Sequence, residues 1–126
     1  MPGTTDGTYI DLYLLPVPRK HLDAYREKAS LFGDVTIACG ALSYREFVHD
    51  AAGEGFDVDA GNVLTTAIVE FTSKAHRDDV MEAVMADPRV AGMVEAEQLA
   101  DMRQMQYGGF APLVVAPAPA GPLPAG

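Results

Sequence analysis

Val63-Leu64-Thr65-Thr66-Ala67-Ile68-Val69-Glu70-Phe71 is the stretch that decides the fold. It is rich in β-branched and apolar residues and follows a Gly- and Asp-rich loop, so it reads as a strand. Val63, Ala67, Val69 and Phe71 fall on one side, Leu64 and Ile68 on the other. A strand with few polar residues on either face sits inside a sheet whose two faces are both covered. Helices of the same chain can cover one face, and a second copy of the chain is expected on the other.

Working outward, the preceding Ala51–Asn62 is the loop, and Ala41–Asp50 alternates as a strand. Leu42, Tyr44, Glu46 and Val48 take one side of that strand; Ser43, Arg45, Phe47 and His49 take the other. On the far side, Ser73 is placed to cap a helix over Lys74–Ala86, with Val80, Met81, Val84 and Met85 as its apolar stripe. Asp87-Pro88 stops that helix, because the residue before proline is pushed out of the helical region. Val90–Ala100 suggests short helical turns, and Arg103–Phe110 a last strand that Gly108-Gly109 would weaken or bulge. Toward the N-terminus, Tyr9–Leu15 alternates as a first strand that Pro16-Val17-Pro18 should end. A helix over Pro18–Cys39 follows, carrying Leu22, Tyr25, Ala29, Phe32, Thr36 and Cys39 on one stripe. Gly33-Asp34 would permit a kink or early end, and Gly40 is a left-handed stop.

The order strand–helix–strand–strand–helix–strand is the split βαβ, or ferredoxin-like, plan of the α+β class. It predicts an antiparallel sheet with both helices on one face and a two-fold homodimer through the other. Composition sets the remaining limits. The chain has 126 residues, with nine Lys and Arg against eighteen Asp and Glu, a net charge of −9 and 48% apolar residues. That is one folded domain, expected over residues 8–115, with a flexible segment 1–7 and a Pro/Ala/Gly-rich passive tail 116–126. An acidic chain without clustered Lys and Arg argues against nucleic acid and against an anionic membrane surface. No run of about 18 apolar residues suggests a membrane span. The single cysteine, Cys39, allows no intrachain disulfide and reads as a buried, inert thiol. With no signal-like N-terminus, a cytoplasmic location is expected.

Four ordered stretches resemble the YbaA-like proteins, a small bacterial family of unknown function. They are Tyr9–Ala29 (YIDLYLLPVPRKHLDAYREKA), Gly40–Val48 (GALSYREFV), Lys74–Val90 (KAHRDDVMEAVMADPRV) and Tyr107–Phe110 (YGGF). The resemblance implies a dimeric α/β barrel. Relatives by that fold include heme-handling proteins, muconolactone isomerases and cofactor-independent monooxygenases. It transfers no activity, since a shared fold does not fix function. Where the family usually has Trp and charged residues late in the first helix, this chain has the small, apolar Asp34–Cys39 (DVTIAC), and its loop before the third strand is shorter and more acidic.

His21, His49 and His76 show no metal-ligand spacing. The acidic loop with Asp50, Glu54, Asp57 and Asp59 reads as solvated. An EF-hand starting at Asp57 fails, with Asn62 at the required glycine and Ile68 at the required glutamate. Gly108-Gly109 lacks the spacing of a phosphate loop. No metal and no cofactor are therefore expected. His49, at a strand end beside the loop, is the candidate general base, because histidine titrates near neutrality. Asp11 and Tyr44 are the candidate partners in acid–base work. Tyr9, Tyr13, Arg45, Glu46 and Tyr107 are candidates to orient a partly apolar substrate in a pocket of a few hundred Å³ with a polar end. The competing structural reading has the tyrosines packing across a dimer and the carboxylates pairing with Arg45 or Arg103. Function is expected to be either cofactor-free acid–base isomerisation, cyclisation or oxygenation of a small organic molecule, or non-catalytic binding of a ligand or partner by a dimer.

Overall fold

A computed structural model describes residues 8–50, 55–95 and 98–116. The segment 1–7, Glu54 of the acidic loop and the tail from 117 onward lie outside the described residues. Strand β1 spans Tyr9–Pro18, helix α1 Leu22–Ala38, β2 Ser43–Val48, β3 Asn62–Phe71, α2 Lys74–Ala86, α3 Pro88–Glu95 and β4 Gln106–Phe110. One turn of 3-10 helix, Arg19–His21, leads into α1, and another, Met102–Gln104, leads into β4. The sheet has the order β2-β3-β1-β4, and every neighbouring pair is antiparallel. This is the ferredoxin-like arrangement that the alternation predicts.

The barrel implied by the family resemblance is corrected here. The sheet is not closed: β2 and β4 stand at its two ends and do not pair with each other. Closure requires every edge to find a hydrogen-bonded neighbour at a consistent tilt. These edge strands, six and five residues long, leave the sheet open.

Three local expectations also change. Pro16 and Pro18 do not end β1; they pair with Leu64 and Asn62 of β3. The Arg19 N–H donates to the Gly61 carbonyl at 2.7 Å, so odd-numbered residues of β1 direct their amides at β3. The prolines therefore face the other side, where pairing with β4 has already ended at Leu14. The pair Gly108-Gly109 does not bulge β4, because Leu12 and Asp11 face them in unbroken register. And α1 runs through Gly33 without an early end, stopping where Gly40 takes φ +117°.

The helix side of the sheet carries the odd residues of β1 and β3. Val69 and Phe71 are fully buried there and cluster with Val35 of α1 and Val80 and Val84 of α2, while the equally buried Val17 clusters with Leu15 and Ala100. The helix α2 starts where Ser73 Oγ accepts the His76 N–H at 3.0 Å. The opposite face presents Ile10, Leu12, Leu14, Leu64 and Ile68, all partly exposed. No helix among the described residues is long and apolar enough to cross a membrane.

Candidate functional site

Between the helices and the sheet lies a cavity of about 440 Å³. Its sheet wall is built by register. Tyr13, Ala67 and Glu46 stand opposite one another across β1, β3 and β2, and Tyr107 on β4 continues the row outside the cavity. Ala67 is the small member of that row, and its missing bulk opens space above the sheet. Tyr25, Ala29 and Phe32, spaced three and four apart on α1, form the facing wall. Met85, Met93, Met102 and Met105 line much of the remainder. The loop that carries the last two is tied down twice. His21 Nδ1 lies 3.0 Å from the Leu99 carbonyl, and Asp101 Oδ1 accepts the Arg103 N–H at 3.1 Å.

Glu46 is the carboxylate among the described residues that line this cavity. Its Oε1 accepts from Tyr25 Oη at 2.7 Å and its Oε2 from Tyr44 Oη at 2.5 Å. Burial, reinforced by the Glu46 charge, pushes both phenols well above the ordinary tyrosine range, so both keep their protons. Tyr44 is held by an edge contact with Phe32, ring centroids 5.9 Å apart, and by lying against Gly33. A second, more open cavity of about 430 Å³ lies between α1 and β2. Tyr25, Ala29, Tyr44, Glu46 and Thr65 line both, so the phenol–carboxylate–phenol bridge is part of the wall they share.

Asp11 belongs to a different arrangement. It is 4% exposed, and its Oδ1 accepts from Arg77 Nη1 at 2.7 Å. Arg77 Nη2 also donates to Tyr9 Oη at 3.2 Å, and the guanidinium lies 5.1 Å from the Tyr9 ring centre. Burial raises the Asp11 carboxyl, and Arg77 opposes that shift. Tyr13 donates to Asp11 Oδ2 at 3.4 Å and stacks on Tyr107 at 5.8 Å. Burial and the neighbouring Asp11 charge push Tyr13 up to about 12.

The candidates thus separate. Tyr44, Glu46 and Tyr13 line the cavity, whereas Asp11 and Tyr9 are bound to Arg77. Tyr107 is 70% exposed behind Tyr13. Arg45 is on the opposite face of the sheet, its guanidinium 5.8 Å from the Phe47 ring centre. His49 continues β2 through its N–H bond to the Leu64 carbonyl, so alternation sets it on the side opposite Tyr44. Its ring meets Phe56 edge-on at 5.2 Å. Asp11 pairs with Arg77, while Arg103 pairs with Asp101, so neither carboxylate of the candidate set takes the partner that the structural reading named. Sequence reasoning placed Tyr25 and Met85 on apolar helix stripes and did not single out Arg77. A phenol within an apolar helix stripe was the available signal for Tyr25, because a buried hydroxyl needs a partner. Among the described residues, no group of three or more His, Cys, Asp or Glu is placed to hold a metal ion.

Comparison with known proteins agrees with this architecture. The uncharacterized protein YbaA of Escherichia coli K12 is 28% identical over 114 residues, covering 84% of this chain and 97% of that protein. A crystal structure of a nipsnap family protein of unknown function from Agrobacterium tumefaciens superposes with a TM-score of 0.59 at 16% identity, covering 89% of this chain and 94% of that one. A dimeric ferredoxin-like protein from an uncultured marine organism gives 0.60 at 9% identity, covering 92% and 96%. At such identities the two structures show a shared fold and nothing finer. The family described as protein of unknown function DUF1428 matches residues 8–102, and the chain belongs to it.

Proposed function

We propose that the protein is a dimeric small-molecule binder whose ligand occupies the cavity between helices and sheet. The observation that carries this reading is an apolar, methionine-lined space of about 440 Å³ with one carboxylate, Glu46, fixed at its wall by two phenols. A mostly apolar pocket with a few well-placed polar groups is the usual form of a ligand site. Methionine suits such a wall, since its flexible thioether fits irregular shapes. Binding without turnover is favoured over acid–base catalysis because His49, Asp11 and Tyr44 do not converge. Asp11 is engaged by Arg77, Tyr44 donates to Glu46, and His49 is on the other side of the sheet. The two-fold partner would cover the apolar outer face.

The test is thermal denaturation of the purified protein against a panel of arylalkyl compounds, with an Ala67→Leu variant in parallel. Saturable stabilisation is expected, because a ligand that binds only the folded state raises its stability with concentration. Leucine at position 67 should fill the space beside Glu46 and weaken that response by about tenfold or more. A response that is absent, or that Ala67→Leu leaves intact, would overturn the reading.

A further inference from the structure

The hydrogen-bonding inventory of the cavity wall indicates the charge of what it holds, an inference that rests on reading that cavity as the binding site. Each hydroxyl on the wall has a single proton to give. Tyr25 and Tyr44 give theirs to Glu46, Thr65 gives its own to the Leu15 carbonyl at 2.9 Å, and Tyr13 is directed at Asp11. Lys28, which also lines the cavity, already has an interaction of its own, and Gln98 adds an amide to the lining away from β2. What the phenol–carboxylate group still offers a ligand is lone pairs. Both Glu46 oxygens accept from the phenols, and a carboxylate oxygen keeps further acceptor capacity after taking one hydrogen bond.

Among the described residues, no Lys, Arg or His forms an ion pair with Glu46. A partly buried carboxylate held by neutral donors gains most from an approaching positive charge. Tyr13, Phe32 and Tyr44 line the same space, and aromatic rings attract cations. The net charge of −9 acts in the same direction at long range.

We propose that the cavity takes an organic cation: an apolar aromatic body carrying one protonated amine, with the ammonium on Glu46 and the body among the methionines. A ligand carboxylate or phosphate placed there would instead meet the Glu46 carboxylate, whose two neighbouring phenols already give it their protons.

Three compounds of matched shape test this: phenylbutylamine, phenylbutanol and phenylbutyrate, titrated calorimetrically into the wild-type chain, Glu46→Gln and Tyr25→Phe. The amine should bind at least about tenfold more tightly than the carboxylate, with the alcohol between them. Glu46→Gln should remove that preference while circular dichroism shows an intact fold. Tyr25→Phe keeps the charge and frees one oxygen, so it should preserve or increase the preference. Should Glu46→Gln fail to fold, the Tyr25→Phe result and the wild-type ranking still decide. Equal or tighter binding of the carboxylate would overturn the cation proposal and leave the cavity reading standing. Absence of binding by all three to folded protein would overturn both.

Discussion

Gly33 shows how one missing side chain shapes the site. In a helix interior, Gly→Ala ordinarily gains about 1 kcal/mol from propensity. Here a Cβ would stand 2.7 Å from Cδ1 of Tyr44, the ring that holds Glu46. Overpacking of this kind costs about 1–3 kcal/mol, so Gly33→Ala should be net destabilising by about 1 kcal/mol, read as a lower denaturation midpoint. A gain in stability would refute the close-contact account. Glu70 gives a pH-dependent counterpart on the outer face. Ser43 Oγ donates to it at 2.6 Å and Thr8 Oγ1 at 2.9 Å, and these two bonds hold its carboxyl below the ordinary 4.5. A depressed carboxyl contributes stability that is full above 4.5 and is lost as pH falls through the folded value. Ser43→Ala should move the Glu70 midpoint, followed by carbon-detected NMR titration, back up toward 4.5. An unmoved midpoint would mean the hydroxyl is not the cause. At this scale the sequence was only partly legible. Alternation placed Tyr44 and Glu46 on one side of a strand, but that Tyr25 reaches them depends on how α1 crosses the sheet, which periodicity does not contain.

At the scale of elements, local chemistry and register divide the credit. The bounds of α2 match the sequence expectation because its signals are local: Ser73 caps it and Asp87-Pro88 stops it. Replacing Ser73 by Ala should cost about 1 kcal/mol, seen as a drop in melting temperature; Ser73→Asp should restore it, since aspartate caps equally well. A Ser73→Ala protein that melts with wild type would show that the cap is dispensable. β1 was harder to bound. Whether Pro16 and Pro18 break a strand depends on which way their missing amides would face, and that is set by β3 and the end of β4. For β4 the decisive neighbour is Tyr9, whose phenol lies where a Cβ on Gly109 would sit. The glycine makes room for that ring and does not bulge the strand. Fold class was thus readable from alternation and caps, whereas strand ends and glycine roles were not, because they depend on residues more than forty positions away.

For the whole molecule, the outer face of the sheet is the unresolved surface. Ile10, Leu12 and Leu14 of β1 run beside Leu64 and Ile68 of β3, with Phe47 at 47% and Phe110 at 53% exposure flanking them. Contiguous apolar area of that kind is uncommon on a monomer. Four strands at about 4.8 Å spacing and up to about 30 Å long offer several hundred Å² per protomer, the order that a stable interface requires. A second copy would fit, since a two-fold axis makes such a face its own complement, and Arg45 and Glu70 border the patch on β2 and β3. Ile68 is the position to test. It pairs with Leu12 on one side and Arg45 on the other. In a face-to-face dimer, lysine there would bury a charge beside an existing guanidinium, at a cost of several kcal/mol. Light scattering coupled to gel filtration should give twice the chain mass for wild type and the single-chain mass for Ile68→Lys, with helix content unchanged. The melting temperature of wild type should rise with concentration, and that of the variant should not. A wild-type protein that stays single at micromolar concentration, or an Ile68→Lys protein that stays paired, would place the partner elsewhere. The ligand cavity lies on the helix side of the same sheet, so Ile68→Lys should retain ligand-induced stabilisation. Loss of both together would mean that dimer contact holds the β1–β3 pairing, and with it Ala67, in place.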